Sequence, residues 1–280
     1  MTVPHIAGIS IFPIKSLDLV SVTEATVLES GALKHDREFA ITDQKGNFVN
    51  GKRNAKVHLL RWSQSEPPQA SHFESDFKIL TLQIQDTEQK FVFHLDTQRT
   101  ALEAWLSDYF GFPVKLVQNF ITGFPDDTIA SGPTIISTAT LETVASWFPG
   151  ISVDDMRSRI RANLEIGGVP PFWEDQLFAQ TGSSVRFQIG EVIFEGINPC
   201  QRCVVLTRDA ITAQAYPSFQ KIFVTQRKET LPDWVESSRF DHFFRLSVNT
   251  KVPASEALKV LRLWDEVKIL AVKPDYTVAD

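Results

Sequence analysis

The stretch VRFQIGEVIFEGINPCQRCVVLT, residues 185–207, holds two short apolar runs, 185–189 and 192–197, on either side of Gly190. Glycine accepts the backbone of a tight turn without steric cost, so the pair reads as a β-hairpin. A further run at 203–207 extends the strand pattern beyond Pro199-Cys200-Gln201-Arg202-Cys203. Both thiols are thereby expected at a strand-edge turn, next to an arginine.

The same rhythm recurs outward in both directions. Before this hairpin, strand-like runs are expected at 5–11, 22–28, 38–42, 58–62, 79–84, 91–94, 134–137 and 163–166, and after it at 244–248 and 267–272. Gln44-Lys45-Gly46-Asn47 marks a second hairpin. Residues 63–76 are polar with a Pro-Pro pair and read as an exposed loop. Helices are fewer. Leu102, Trp105, Leu106 and Tyr109 share one helical face that Gly111 can end. Leu141, Val144, Ala145 and Phe148 share another, Ser152-x-x-Asp155 resembles a capping box, and Phe219, Ile222 and Phe223 form a core-facing stripe. Residues 118–133 are rich in turn formers and place a boundary near 120. The reading is mainly β with some α (α+β), with one domain over 1–120 and a second over 121–280.

The chain has 280 residues and a net charge of −6, which argues against a surface that tracks nucleic-acid phosphates. No run approaches the ~18 apolar residues of a membrane span, and the first residues lack the basic start of a signal peptide. A cytoplasmic protein without a membrane partner is the expectation. The basic residues that matter should be local.

Cys200 and Cys203 are the only cysteines, so a disulfide framework is excluded and a C-x-x-C beside an arginine reads first as metal or redox chemistry. A guanidinium favours a thiolate over a thiol. A structural zinc would need two more ligands, and the six histidines show no zinc spacing. A dithiol of the thioredoxin kind opens a helix, whereas Val204-Val205 reads as continuing strand. Two small buried side chains are the remaining reading.

Three other places carry groups suited to an anion. Lys15-Ser16 ends the first strand with a charge and a hydroxyl. Arg37 follows His35-Asp36. Arg161 and Asn163, with one residue between them, would face the same side of an extended segment. Phe172-Trp173-Glu174-Asp175 is an aromatic–acidic loop that could border a substrate entrance.

In this order, the elements resemble the MOSC-domain family that carries an N-terminal MOSC β-barrel domain, which includes the mitochondrial amidoxime-reducing component and bacterial relatives. Phe-Pro-Ile-Lys-Ser at 12–16 is similar to the family's Tyr-Pro-hydrophobic-Lys-Ser, and Asp36-Arg37-Glu38-Phe39 to its Asp-Arg-x-Phe/Trp. Arg161-Ala162-Asn163 resembles Arg-Pro-Asn, with alanine in place of proline. Pro199-Cys200-Gln201-Arg202-Cys203 resembles Pro-Cys-x-Arg-Cys, the most specific of the four.

The resemblance implies an N-terminal β-barrel-like domain followed by a MOSC β-barrel with peripheral helices. It also implies a molybdenum cofactor, a molybdenum–molybdopterin, with Cys203 as catalytic metal ligand and Lys15, Ser16, Arg37, Arg161, Asn163 and Arg202 as cofactor anchors. The implied activity is a pyridoxal phosphate-independent oxidoreductase that reduces small N-hydroxylated compounds. Its electrons would come from a separate redox protein, since the chain has no nucleotide fingerprint, haem motif or cluster cysteines. The alternatives are a carrier of the cofactor or of sulfur, and a Cys200/Cys203 thiol redox protein.

Overall fold

The computed structural model describes residues 3–64 and 79–274. The polar loop expected at 63–76 therefore lies almost wholly outside the described residues. The first half runs β1 (His5–Ile11), β2 (Val20–Val22), β3 (Glu24–Thr26), β4 (Phe39–Asp43), β5 (Leu60–Gln64), β6 (Ile79–Ile84), β7 (Lys90–His94), helix α1 (Arg99–Phe110) and β8 (Val114–Gln118). The second half begins with β9 (Ile135–Ser137), α2 (Thr138–Ser146), α3 (Val153–Ile160) and β10 (Leu164–Gly167). It continues through β11 (Ser183–Ile189), β12 (Val192–Gln201), α4 (Phe219–Glu229), β13 (Arg245–Lys251), β14 (Val260–Arg262) and β15 (Val267–Pro274).

The Gly190 hairpin is present: β11 and β12 pair antiparallel up to Ile189↔Val192, and Gly190 has φ 55°. Val185, Phe187 and Ile189 point inward while Arg186 and Gln188 do not, the period-two pattern of a strand with one buried face. The hairpin sits in an eight-stranded sheet of order β15-β11-β12-β13-β9-β10-β1-β2, flanked by the smaller sheets β14-β3, β4-β8 and β5-β6-β7. The class is α+β. The large sheet stays open as a ladder, but a single bridge, His5↔Glu266, brings the start of β1 to the start of β15. β1 belongs to the first half of the chain and pairs with β10 of the second, Ile9 opposite Leu164.

Burial follows the same pattern. One cluster joins Ile9, Ile11, Leu102 and Leu106 to Phe187, Phe194 and Val248, and so spans both halves. A second is built by α2, α3 and α4, where Phe148 stacks on Phe219 at 4.0 Å between ring centres. The expected stripe on α4 thus packs as core through Phe219 and Phe223. The Ser152 capping box is formed, with the side chain accepting from Asp155 N and Asp155 returning to Ser152 N.

Three expected strands differ. The run at 22–28 breaks at Thr23, because β2 pairs with β1 while β3 pairs with β14 in another sheet. The run at 58–62 starts as a 3-10 turn over Ala55–Leu59, with the Asn54 side chain accepting from Lys56 N at 3.0 Å, and becomes strand at Leu60. The run at 203–207 is also a 3-10 turn, Val204–Thr207. β12 stops at Gln201 because its ladder with β13 ends at Gln201↔Arg245, and without a partner strand the β-branched pair Val204-Val205 has nothing to pair with. The strand that counted against a dithiol is therefore absent, although the turn that replaces it is only four residues long.

Candidate functional site

β12 delivers Cys200 from within the sheet, and Cys203 caps the 3-10 turn that follows. Both thiols are free and half-buried, and both line a cavity of about 890 Å³ between the two halves of the chain. Arg202 lies between them in sequence, and its Nη1 donates to Cys200 Sγ at 3.2 Å and to Ser247 Oγ at 3.4 Å. Its Nη2 donates to the carbonyl of Ile160 at the end of α3. The arginine thus ties the thiol loop to a helix terminus.

Ser16, Arg37, Arg161, Asn163, Arg202 and Cys203 all line this cavity. Sequence separations of more than a hundred residues are closed by β1 lying beside β10. Lys15 does not line it. Its ammonium is buried and donates to Asp126 Oδ1 at 2.5 Å and to Phe124 O at 2.8 Å. Burial lowers the Lys15 pKa, partly offset by Asp126. Asp126 does line the cavity, with its side chain 79% exposed there. Crowding by protein pushes its pKa up, but Arg37 and Lys15 outweigh this and hold it at about 2. Lys15 acts on the cavity through Asp126.

Arg37 packs over the Phe12 ring, 4.9 Å from its centre, and donates to Asp36 and, at 3.4 Å, to Asn163 Oδ1. Burial disfavours its charge, but Asp36 and Asp126 prevail and its pKa is raised. Arg161 lies over the same ring at 4.2 Å. Burial, with Arg37 next in weight, lowers its pKa to about 10. Two guanidiniums on one buried ring repel, so a negative ligand between them would relieve both.

Arg161 is not in an extended segment. It ends α3 with φ 59° and ψ 40°, and this left-handed residue turns the chain from helix into β10. Asn163 is fixed just after it, donating to Ser10 O at 3.0 Å and accepting from Thr134 N at 3.2 Å. Ser16 and Arg37 share the uncommon geometry, with φ 74° and 51°. Strained non-glycine backbone of this kind costs about 1–3 kcal/mol each and gathers where function requires it.

The sequence reading missed much of the wall. Lys52, Arg61, Arg159, Arg208, Arg239 and Arg245 also line the cavity, which brings the lysines and arginines to nine against four aspartates, Asp18, Asp36, Asp126 and Asp127. On a chain of net charge −6 this is a strong local reversal of sign. Arg159 and Arg208 flank motifs already singled out, so proximity in sequence was an available signal. Arg61 reaches the cavity from β5 and is held by Asp18 at 2.7 Å and by Ala210 O at 3.0 Å. His58 joins it, with a pKa lowered by burial.

Phe172-Trp173-Glu174-Asp175 does not border the cavity. Glu174 and Asp175 are 1% and 2% exposed, and Asp175 pairs with Arg227, itself fully buried from α4. Arg227 also lies over Phe172 at 4.4 Å. Asp175 turns inward because an arginine distant in sequence meets it, and Glu174 accepts from the Thr140 hydroxyl at 3.0 Å. Among the described residues no group of three or more His, Cys, Asp or Glu side chains could hold a metal ion, and no helix is long and apolar enough to cross a membrane.

The cavity is a cationic one with two thiols in its wall, carried on an α+β scaffold. The chain belongs to the MOSC-domain family with an N-terminal MOSC barrel: the MOSC N-terminal beta barrel domain matches residues 3–113 and the MOSC domain residues 133–255. It is 24% identical over 263 residues to a molybdenum cofactor sulfurase of Caenorhabditis briggsae, covering 85% of this chain and 34% of that one. A molybdenum cofactor sulfurase of Drosophila mojavensis is 24% identical over 234 residues, 76% of this chain and 29% of that one. The chain thus spans about a third of the length of the curated relatives it matches. Among solved structures, the YUAD protein from Bacillus subtilis aligns over 99% of this chain and 98% of its own, at 12% identity and a TM-score of 0.39.

Proposed function

We propose that the cavity binds a molybdenum–pterin cofactor through Cys203, and that the chain reduces small N-hydroxylated compounds with electrons from a separate redox protein. The observation that carries this reading is the gathering of nine cationic side chains and two free thiols on one cavity of an acidic chain. The donor set suits such a group. Arg61 Nε, Arg159 Nε and Nη1, and Arg202 Nε are buried at the wall without an acceptor, and a phosphate-bearing polar ligand is what such donors lack. A single thiolate is also what remains for the protein to give when a metal arrives already held by sulfur. The names of the curated relatives support the same cofactor class.

Bound there, the cofactor would supply two-electron chemistry that turns R–NHOH, two electrons and two protons into R–NH₂ and water. The chain's own residues have narrower tasks. Cys203 offers its sulfur from the start of the 3-10 turn, and Arg202 braces that turn against Ile160. Arg37, Arg161 and Ser16 offer charge and a hydroxyl to anionic and polar groups, while Asn163 steadies Arg37.

A specific observation favours a second reading. Arg202 contacts Cys200, so a second thiol stands ready at the wall, and a carrier of sulfur or of the cofactor needs no reductase step. Metal and phosphorus analysis of protein made in a cofactor-competent host tests both. Stoichiometric molybdenum that is lost in Cys203→Ala and kept in Cys200→Ala is the expected result, and reduction of a hydroxylamine with a chemical reductant separates reductase from carrier. Protein free of molybdenum under those conditions, with reversible Cys200–Cys203 oxidation instead, overturns the cofactor reading in favour of a thiol redox protein.

A further inference from the structure

Two loops meet the cavity with the same local device. Asp127 Oδ1 accepts from Ile129 N at 2.9 Å and Ala130 N at 3.1 Å, and Asp209 Oδ1 accepts from Ile211 N at 3.0 Å and Thr212 N at 2.8 Å. Each aspartate folds the chain back on itself and leaves the isoleucine two residues later pointing out. Ile129 is 72% exposed and Ile211 43%, and both line the cavity whose other walls are cationic. The second aspartate is itself anchored, through Arg159 at 3.1 Å. Loops that hold large apolar side chains in water at the edge of a polar cavity forgo hydrophobic free energy until a ligand covers them.

We infer that Ile129 and Ile211 form an apolar lip that selects ligands with an apolar body attached to the polar group that enters the cavity. This rests on the cavity being the reaction site for N-hydroxylated compounds and narrows their class to those with an aryl or larger alkyl body. Polar recognition is left to the cationic wall, and the lip discriminates by contact area. Removing one isoleucine from such a contact weakens binding by roughly tenfold.

The test compares N-benzylhydroxylamine with N-methylhydroxylamine, which share the reacting group and differ in the body. With loaded protein and a chemical reductant, kcat/KM for the benzyl compound exceeds that for the methyl compound. Ile129→Ser and Ile211→Ser each narrow the ratio about tenfold by raising KM for the benzyl compound. A second arm omits the reductant and measures binding of N-benzylhydroxylamine by calorimetry, with the same loss of affinity expected in each variant. Both positions are exposed, so circular dichroism of the variants should match the parent. If nothing is turned over but benzyl binding still depends on the two isoleucines, the reductase reading falls and the lip stands. Benzyl affinity unchanged in the double variant overturns the lip, whatever the activity.

Discussion

Arg202 Nη1 lies 3.2 Å from the sulfur of Cys200, while the other end of the same guanidinium caps the carbonyl of Ile160. One side chain therefore fixes both the thiol loop and the end of α3. Arg202→Met leaves that carbonyl without its donor, which costs about 1–3 kcal/mol. Chemical denaturation should show this loss with an unchanged m-value. A loss under about 0.5 kcal/mol, within the range of a neutral surface substitution, would mean that the contacts carry no load.

The cationic cavity should respond to a simple anion. Inorganic phosphate is expected to raise the melting temperature by about 2–5 °C at saturating concentration, and Arg161→Gln to remove most of that rise. Comparing parent and variant in the same buffer cancels the general salting effect. Equal shifts in both proteins would show that the anion does not sit near Arg161.

Glu174 gives the protein a pH dependence. Burial, with Asp175 beside it, raises its pKa to about 7, so the folded state holds a proton that the unfolded chain releases near its ordinary 4.5. Stability from this group is full below about 4.5, falls as pH rises to about 7, and is level above that. Glu174→Gln, which keeps an oxygen for the Thr140 hydroxyl at 3.0 Å, should flatten this slope and stabilise the protein at pH 8 by on the order of 2 kcal/mol. Urea melts from pH 5 to 8 decide it, and parallel curves for the two proteins would refute the assignment.

Gly196 tolerates no side chain. A Cβ there would stand 1.6 Å from the carbonyl oxygen of Leu177, a backbone atom that cannot swing aside. Gly196→Ala is expected to cost more than about 3 kcal/mol, beyond the usual range for overpacking, and to lower soluble yield sharply. A variant that melts within 2 °C of the parent would show that the 172–177 segment yields easily.

What the sequence disclosed was mostly local. The Gly190 hairpin and the Ser152 capping box depend on neighbours within a few residues, and both formed as read. The misread features depend on partners far away. Residues 203–207 look like strand until β13 is seen to end the ladder at Arg245. Lys15 looks like an anion ligand until Asp126, 111 positions later, takes its charge. Residues 172–175 look like a polar loop until Arg227, 52 positions later, draws Asp175 inside. Of the candidate site, the motif residues were legible because each motif is short. Arg61 and Arg245 were not, since they join the cavity only when separate strands converge.

The pairing of β1 with β10 has a consequence for how the chain is made. Ile9 is synthesised well before its partner Leu164, which follows about 155 residues later. At roughly 5–20 residues per second this is a wait of about 8–30 s, during which only the β2 side of the strand is matched. Contacts of such sequence separation form slowly, since the loop between them must close first. β1 therefore leaves the ribosome long before the strand that completes its pairing.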